Sequence, residues 1–98
     1  MARRWLLAIL IAASACGPIV YVNDVTRKAT TSVDEARAAQ ADKHAPYYWT
    51  RATQYLKQAQ VLAAHADFQG ANRFGRLAAE AAEKAIAESQ AAGAKGTP

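Results

Sequence analysis

Small and apolar residues recur every three to four positions in three separate runs of the chain, the period of a helix face rather than of a strand. In the first run Val22, Val25, Ala29, Val33 and Ala36 share one side, with Gln40 next in register and Asn23 or Asp24 placed to cap the start. This predicts a helix from about Asp24 to Lys43, although Thr26, Thr30, Thr31 and Ser32 lower the propensity of its first half. His44-Ala45-Pro46 interrupts the pattern, and proline suits the first turn of a new helix. A second helix is therefore expected from Pro46 to about His65. Its apolar stripe holds Tyr48 or Trp49, Ala52, Tyr55, Leu56, Ala59 and Leu62, with Arg51, Lys57 and Gln58 mostly opposite. Asp67 is a short-side-chain cap for a third helix, in which Ala71, Phe74, Leu77, Ala78, Ala81, Ala82 and Ala85 repeat towards Ala92. Glu80 and Lys84 stand four apart in the favourable order on its exposed face. Gly70 and Gly75 fall inside this helix, each costing about 1 kcal/mol relative to alanine, and close helix packing or local flexibility accounts for them. Short connections near residues 44–46 and 66–67 imply antiparallel neighbours. The expected fold is all-α: a short antiparallel three-helix bundle over residues 24–92, made of an alanine-rich helical hairpin and an N-terminal helix, with 93–98 as a disordered tail.

Ahead of the bundle the pattern changes. Met1-Ala-Arg-Arg places two positive charges before an apolar run from Trp5 to Ala13, then Ser14, Ala15 and Cys16. This is the order of a bacterial secretory signal, so residues 1–15 are expected to be removed. The apolar run is about half the length that a bilayer core requires, and Gly17-Pro18 interrupts any extension to Val22. Ala13-Ser14-Ala15-Cys16 resembles the lipobox of bacterial lipoproteins. The resemblance implies a diacylglycerol on the Cys16 thiol, cleavage before Cys16 and acylation of the new amino group, with residues 16–23 as a lipid-anchored leash. Ala13-x-Ala15 also suits an ordinary signal peptidase, which would leave Cys16 as a free thiol. There is no second cysteine for a disulfide. Gly17, rather than an aspartate, follows Cys16, which by analogy with enteric lipoproteins favours the outer membrane.

Composition narrows the function. From Cys16 onward the chain has 83 residues, 21 of them alanine. A core made mostly of methyl groups offers little material for a cleft that could hold a buried active site. The formal charge of +4 falls to +2 once Arg3 and Arg4 are removed, so the basic balance says little about nucleic acid. No arrangement for nucleophilic catalysis is present in the motifs, and no enzyme activity, cofactor or nucleic-acid partner is expected.

Ala45-Pro46, then Ala52, Leu56 and Ala59, Ala66-Asp67-Phe68-Gln69-Gly70-Ala71, Leu77-Ala78 and Ala81-Ala82 together resemble an alanine-rich helical hairpin of small bacterial lipoproteins. Those proteins form a domain-of-unknown-function family and are often encoded near OmpA-like proteins that bind peptidoglycan. The stretch is also similar to one tetratricopeptide-type unit, with Asp67-Phe68 at the inter-helix turn, although Ala66 stands where such turns usually carry glycine. Only one unit is present, whereas solenoids need three or more.

Tyr47-Tyr48-Trp49 is the main candidate binding feature. Successive helical residues turn by 100°, so three rings sweep about 200° and cannot all enter a narrow core. Tyr47, Tyr48 and Trp49, with Tyr55 further along, are read as partner-binding residues, because Tyr and Trp are enriched at interface hot spots. The bland alternative is that two of the three rings are core and the third packs over a neighbouring helix. His44 and His65 lie at opposite ends of the second helix without a metal-ligand spacing, and no metal site is expected. Gly70-x-x-x-x-Gly75 is followed by Arg76-Leu77 inside a helix, which excludes a phosphate loop. Arg73, Arg76 and Lys84 alternate with Glu80, Glu83 and Glu88 and read as an ordinary solvated face.

These readings lead to an envelope lipoprotein on the periplasmic face of the outer membrane, held by lipid on Cys16. It is expected to act as a non-catalytic structural or adaptor protein for an OmpA-like, secretion or motility assembly. The alternative is a periplasmic module that binds peptidoglycan or a small ligand.

Overall fold

The computed structural model describes residues 24–95, with side chains described through Gly93. Four helices make up this span: α1 over 24–38, α2 over Ala41–His44, α3 over Pro46–Ala64 and α4 over Phe68–Lys95. No strand occurs among the described residues, so the fold is all-α as expected. The signal segment, the Cys16 junction and the leash lie outside the described residues, as does the end of the tail.

The contacts set the helix directions. Val25 of α1 lies against Gly75, and Ala29 packs with Ala78 and Ala79. Val33 and Ala36 share a cluster with Ala81, Ala82 and Ala85. As the α1 numbers rise the α4 numbers rise, so these two helices run the same way. In contrast Leu62 of α3 meets Gly70, Tyr55 meets Phe74 and Tyr48 meets Lys84. α3 therefore runs down between two ascending helices, and the bundle is up-down-up.

The core is built of small side chains. Among the described residues thirteen apolar side chains are buried and twelve of them are alanine, which leaves Val33 as the largest buried aliphatic group there. Ala71, Gly75, Ala78, Ala82, Ala85 and Ser89 are all buried on α4 at alternating spacings of four and three, the repeat of a coiled-coil seam. Ala45, Ala52 and Ala59 on the α3 side are seven apart and fully buried. Ser89 continues the seam because its hydroxyl donates to the Ala85 carbonyl at 2.7 Å, which satisfies it within its own helix. Gly75 is the tightest point. A Cβ there would stand 2.7 Å from Val25 Cγ1, so the glycine is what allows α1 to approach α4.

The connection between α3 and α4 follows from local chemistry. The Asp67 N–H donates to the Leu62 carbonyl (2.8 Å) and the Ala66 N–H to the Ala63 carbonyl (3.0 Å), the pair of bonds of a Schellman motif. That geometry puts Ala66 at φ 60°, a left-handed position usually given to glycine. Asp67 then caps α4 as expected, its Oδ1 accepting the Gly70 N–H at 3.0 Å. Pro46 occupies the opening turn of α3, also as expected.

The first helix departs from expectation. It stops at residue 38 rather than near Lys43, because Gln40 adopts φ 59° and ψ 37° and breaks the helical path. The Gln40 N–H donates to the Arg37 carbonyl in a tightened turn (3.0 Å), and the Gln40 carbonyl accepts from Lys43 and His44 to start α2. In a straight helix, position 41 would point about 140° away from the face that carries Ala36. The break instead turns Ala41 and then Ala45 into the core, where both are fully buried. Tertiary burial overrides the local preference for continuing the helix, at a left-handed cost of about 1–2 kcal/mol.

The Gly75–Val25 contact gives a sign test. In an unhindered helix, Gly→Ala stabilises by about 1 kcal/mol. Gly75→Ala is expected to destabilise the native chain and to stabilise a Val25→Ala chain, as read by urea denaturation. The same sign in both backgrounds would mean that α1 does not meet α4 there.

Candidate functional site

The first turns of α3 carry four aromatic rings, and three cations come to lie over them. Tyr47, Arg51 and Tyr55 follow one another at four-residue steps, so they stand in a row on one helix face. The Arg51 guanidinium spans the row: Nη1 donates to Tyr47 Oη at 3.2 Å, and Nη2 donates to Tyr55 Oη. Its carbon lies 5.5 Å from the Tyr47 ring centre and 5.2 Å from that of Tyr55. Arg51 is thus folded onto the rings rather than extended into solvent. Tyr47 is the exposed member, with 62% of its surface accessible, and the edge of its ring meets Tyr48 at 5.1 Å between centroids.

Tyr48 and Trp49 take cations from other helices. Lys84 of α4 places its ammonium 5.8 Å from the Tyr48 ring and bonds Glu80 at 3.3 Å, the ion pair that the four-residue spacing predicts. Arg37 of α1 lies 5.5 Å over Trp49 while pairing with Asp34 at 2.8 Å. Each such cation–aromatic contact contributes about 0.5–1 kcal/mol at an exposed position. Tyr48, Trp49 and Tyr55 are half-buried and pack against the alanine core, whereas Tyr47 does not. The belt therefore holds the three long helices together on its inner side and presents Tyr47 and Arg51 on its outer side.

Tyr47, Tyr48 and Tyr55 are joined by ring contact and by Arg51, whereas Trp49 lies on the α1 side of α3 under Arg37. Arg51 was expected mostly opposite the apolar stripe. Its position between Tyr47 and Tyr55 could have been found from the Tyr-x-x-x-Arg-x-x-x-Tyr spacing, whereas Arg37 and Lys84 come from distant parts of the chain. The groove lined by Tyr48, Arg51, Tyr55, Leu77, Glu80 and Lys84 measures about 70 Å³. Sites for small organic ligands usually need several hundred Å³. The belt is a surface for contact rather than a container.

His44 and His65 are both exposed, one ending α2 and the other following α3. Among the described residues no group of three His, Cys, Asp or Glu is placed to hold a metal ion. Gly70 and Gly75 both lie within α4, away from any strand. None of the described helices is long and apolar enough to cross a membrane.

Unequal burial along the belt predicts unequal energetic roles. Trp49→Ala is expected to lower unfolding stability by about 2 kcal/mol, since a half-buried indole and its contact with Arg37 are lost. Tyr47→Ala should cost less than about 1 kcal/mol. Denaturant titrations of the two variants check the order; equal losses would mean that Tyr47 is as much core as Trp49.

No curated protein and no solved structure matches the chain. A family model does, that of a domain of unknown function, DUF4398, over residues 26–97. The match begins within the first turn of α1 and includes the whole of α2, α3 and α4, so the bundle is the family's unit. With 72 of its 98 residues inside that match, the chain belongs to the DUF4398 family.

Proposed function

We propose that this protein is an envelope lipoprotein, anchored through Cys16 in the outer membrane and facing the periplasm, that serves as a non-catalytic adaptor for a larger envelope assembly. The observation that carries the reading is the outer side of the aromatic belt. Tyr47 is exposed while Arg51 holds it in place from beside, so a partner meets an ordered ring instead of a freely rotating one. Tyr and Arg are enriched at interface hot spots; Tyr brings a large contact area with two torsions to freeze, and the Arg51 guanidinium is already held by Tyr47 and Tyr55. The alanine-rich core supports the same reading, since close-packed helices make a rigid platform with little interior space for chemistry.

The anchor rests on Ala13-Ser14-Ala15-Cys16 and on the short apolar run before it. Resemblance of the hairpin to a single tetratricopeptide-type unit, and the frequent proximity of such lipoproteins to OmpA-like proteins, point to an OmpA-like, secretion or motility complex as the partner. A pilotin-like role, in which the protein escorts a larger component to the outer membrane, belongs to the same class. Stacking of a cell-wall sugar on Tyr47 is the competing use of the same ring.

Two measurements test this reading. Labelled palmitate should be incorporated into the native chain and lost in Cys16→Ser; an unlabelled native chain would overturn the anchor. A photo-crosslinking residue at position 47, in intact cells, should yield a discrete protein adduct that is absent when the probe replaces exposed Gln60 of α3. A glycan adduct, or equal adducts from both positions, would overturn the adaptor role.

A further inference from the structure

Charge is sorted along the bundle axis. At the end where α1 begins, α3 finishes and α4 begins, the exposed cations are Arg27, Lys28, Lys57, Arg73 and Arg76, against Asp24 and Asp67. One Asp67 oxygen is already engaged in capping α4. The other end reverses the balance: six carboxylates, from Asp34, Glu35 and Asp42 to Glu80, Glu83 and Glu88, face Arg37, Lys43, Arg51 and Lys84. There the cations are largely engaged, Arg37 with Asp34, Lys84 with Glu80 and Arg51 with two tyrosines. None of the five cations at the first end makes an ion pair or side-chain hydrogen bond among the described residues.

Three of these cations are linked by two adjoining grooves. Arg73 and Arg76 line one groove of about 420 Å³ with Asp67 and Gln69. Arg76 and Lys28 line the next, of about 340 Å³ between α1 and α4, together with Glu80 and Glu83 one to two turns further along α4. Arg27 and Lys57 stand at the same level on the other two helices, by the register of Val25 on Gly75 and Leu62 on Gly70. The result is a basic collar around one end of the bundle, bounded above by carboxylates.

α1 starts at this same end. From Cys16 to Asp24 there are eight residues, which span at most about 27 Å. On the lipid-anchor reading above, the leash therefore draws the basic end, and not the acidic one, towards the bilayer. We propose that the basic collar is a docking surface for anionic phospholipid headgroups, so that the bundle stands on the membrane with Tyr47, at the far end of the aromatic belt, held away from it. Guanidinium groups pair with phosphate in a forked geometry, and a basic patch beside a lipid anchor orients the protein on an anionic surface. Arg73 and Lys84 are eleven residues apart on α4, about 16 Å along the axis. That is roughly twice the distance over which physiological salt screens charge, so the two ends respond separately to a surface.

The test measures vesicle partitioning of the full chain carrying Cys16→Ser, which has no lipid in any arm and is thus independent of the palmitate result. Vesicles are phosphatidylcholine alone or with about a third phosphatidylglycerol. Binding through Trp5–Ala13 should not depend on lipid charge, and Arg3 and Arg4 contribute equally to every variant. Arg73→Glu with Arg76→Glu is expected to lower partitioning to the anionic vesicles by at least about tenfold and to leave binding to neutral ones unchanged. Arg73→Gln with Arg76→Gln should give the same direction without introducing like charges, and circular dichroism confirms folding. Lys43→Glu with Lys84→Glu, the same charge change at the opposite end, should alter binding less than about twofold. Equal losses from the two ends would mean that net charge alone is sensed. Either that result or the absence of a preference for anionic vesicles would overturn the collar.

Discussion

Close approach of helix backbones is the constraint on which the rest of this structure depends. With alanine at twelve of the thirteen buried apolar positions among the described residues, no helix can be held at a distance by bulky side chains. The helices must come near enough for methyl groups to touch backbone, and each contact is then short-ranged and numerous rather than large. Small residues therefore recur at every seam position of α4, from Ala71 to Ser89, and the closest of these contacts leaves no room for a side chain at Gly75. The glycine lowers helix propensity locally, and the packing of Val25 upon it offsets that loss.

A core of this kind is thin, and the aromatic belt compensates. Tyr48, Trp49 and Tyr55 contribute the apolar area that alanines lack, and they do so at the rim, where each ring keeps one side in water. Rim placement explains why cations gather there: a guanidinium or ammonium can lie over a ring without losing its hydration. The same arrangement that stiffens the bundle leaves Tyr47 and Arg51 on the outside in fixed positions. The groups that stiffen the bundle and those left exposed are thus neighbours on one helix.

Charge is sorted along the axis, and the aromatic belt runs from Tyr47 at the acidic end down to Tyr55, which meets Phe74 between Arg73 and Arg76. The sorting of charge follows from the up-down-up path, which brings the start of α1, the end of α3 and the start of α4 together. Arg73, Arg76 and Lys84 share α4 with Glu80, Glu83 and Glu88 and read in the sequence as an ordinary solvated face. In three dimensions Glu80 is taken by Lys84, while Arg73 and Arg76 join Lys28 from another helix.

Periodicity and capping chemistry by themselves determined the helix pair, because these are local: Pro46 opens α3, Asp67 caps α4, and the three-to-four spacing of alanines marks the buried faces. That at least one of three consecutive rings must be exposed was also legible, since they cannot share one side of a helix, but only the packing of α3 shows that it is Tyr47. Three further features were decided only by tertiary structure. Gln40 breaks the first helix because Ala41 and Ala45 gain burial from the turn, a benefit that no local window contains. The cations over Trp49 and Tyr48 come from α1 and α4, and the basic collar is assembled from three helices. In each case the deciding energy lies in contacts between residues far apart in the chain, and the spacing of residues along a sequence carries no record of which faces will meet.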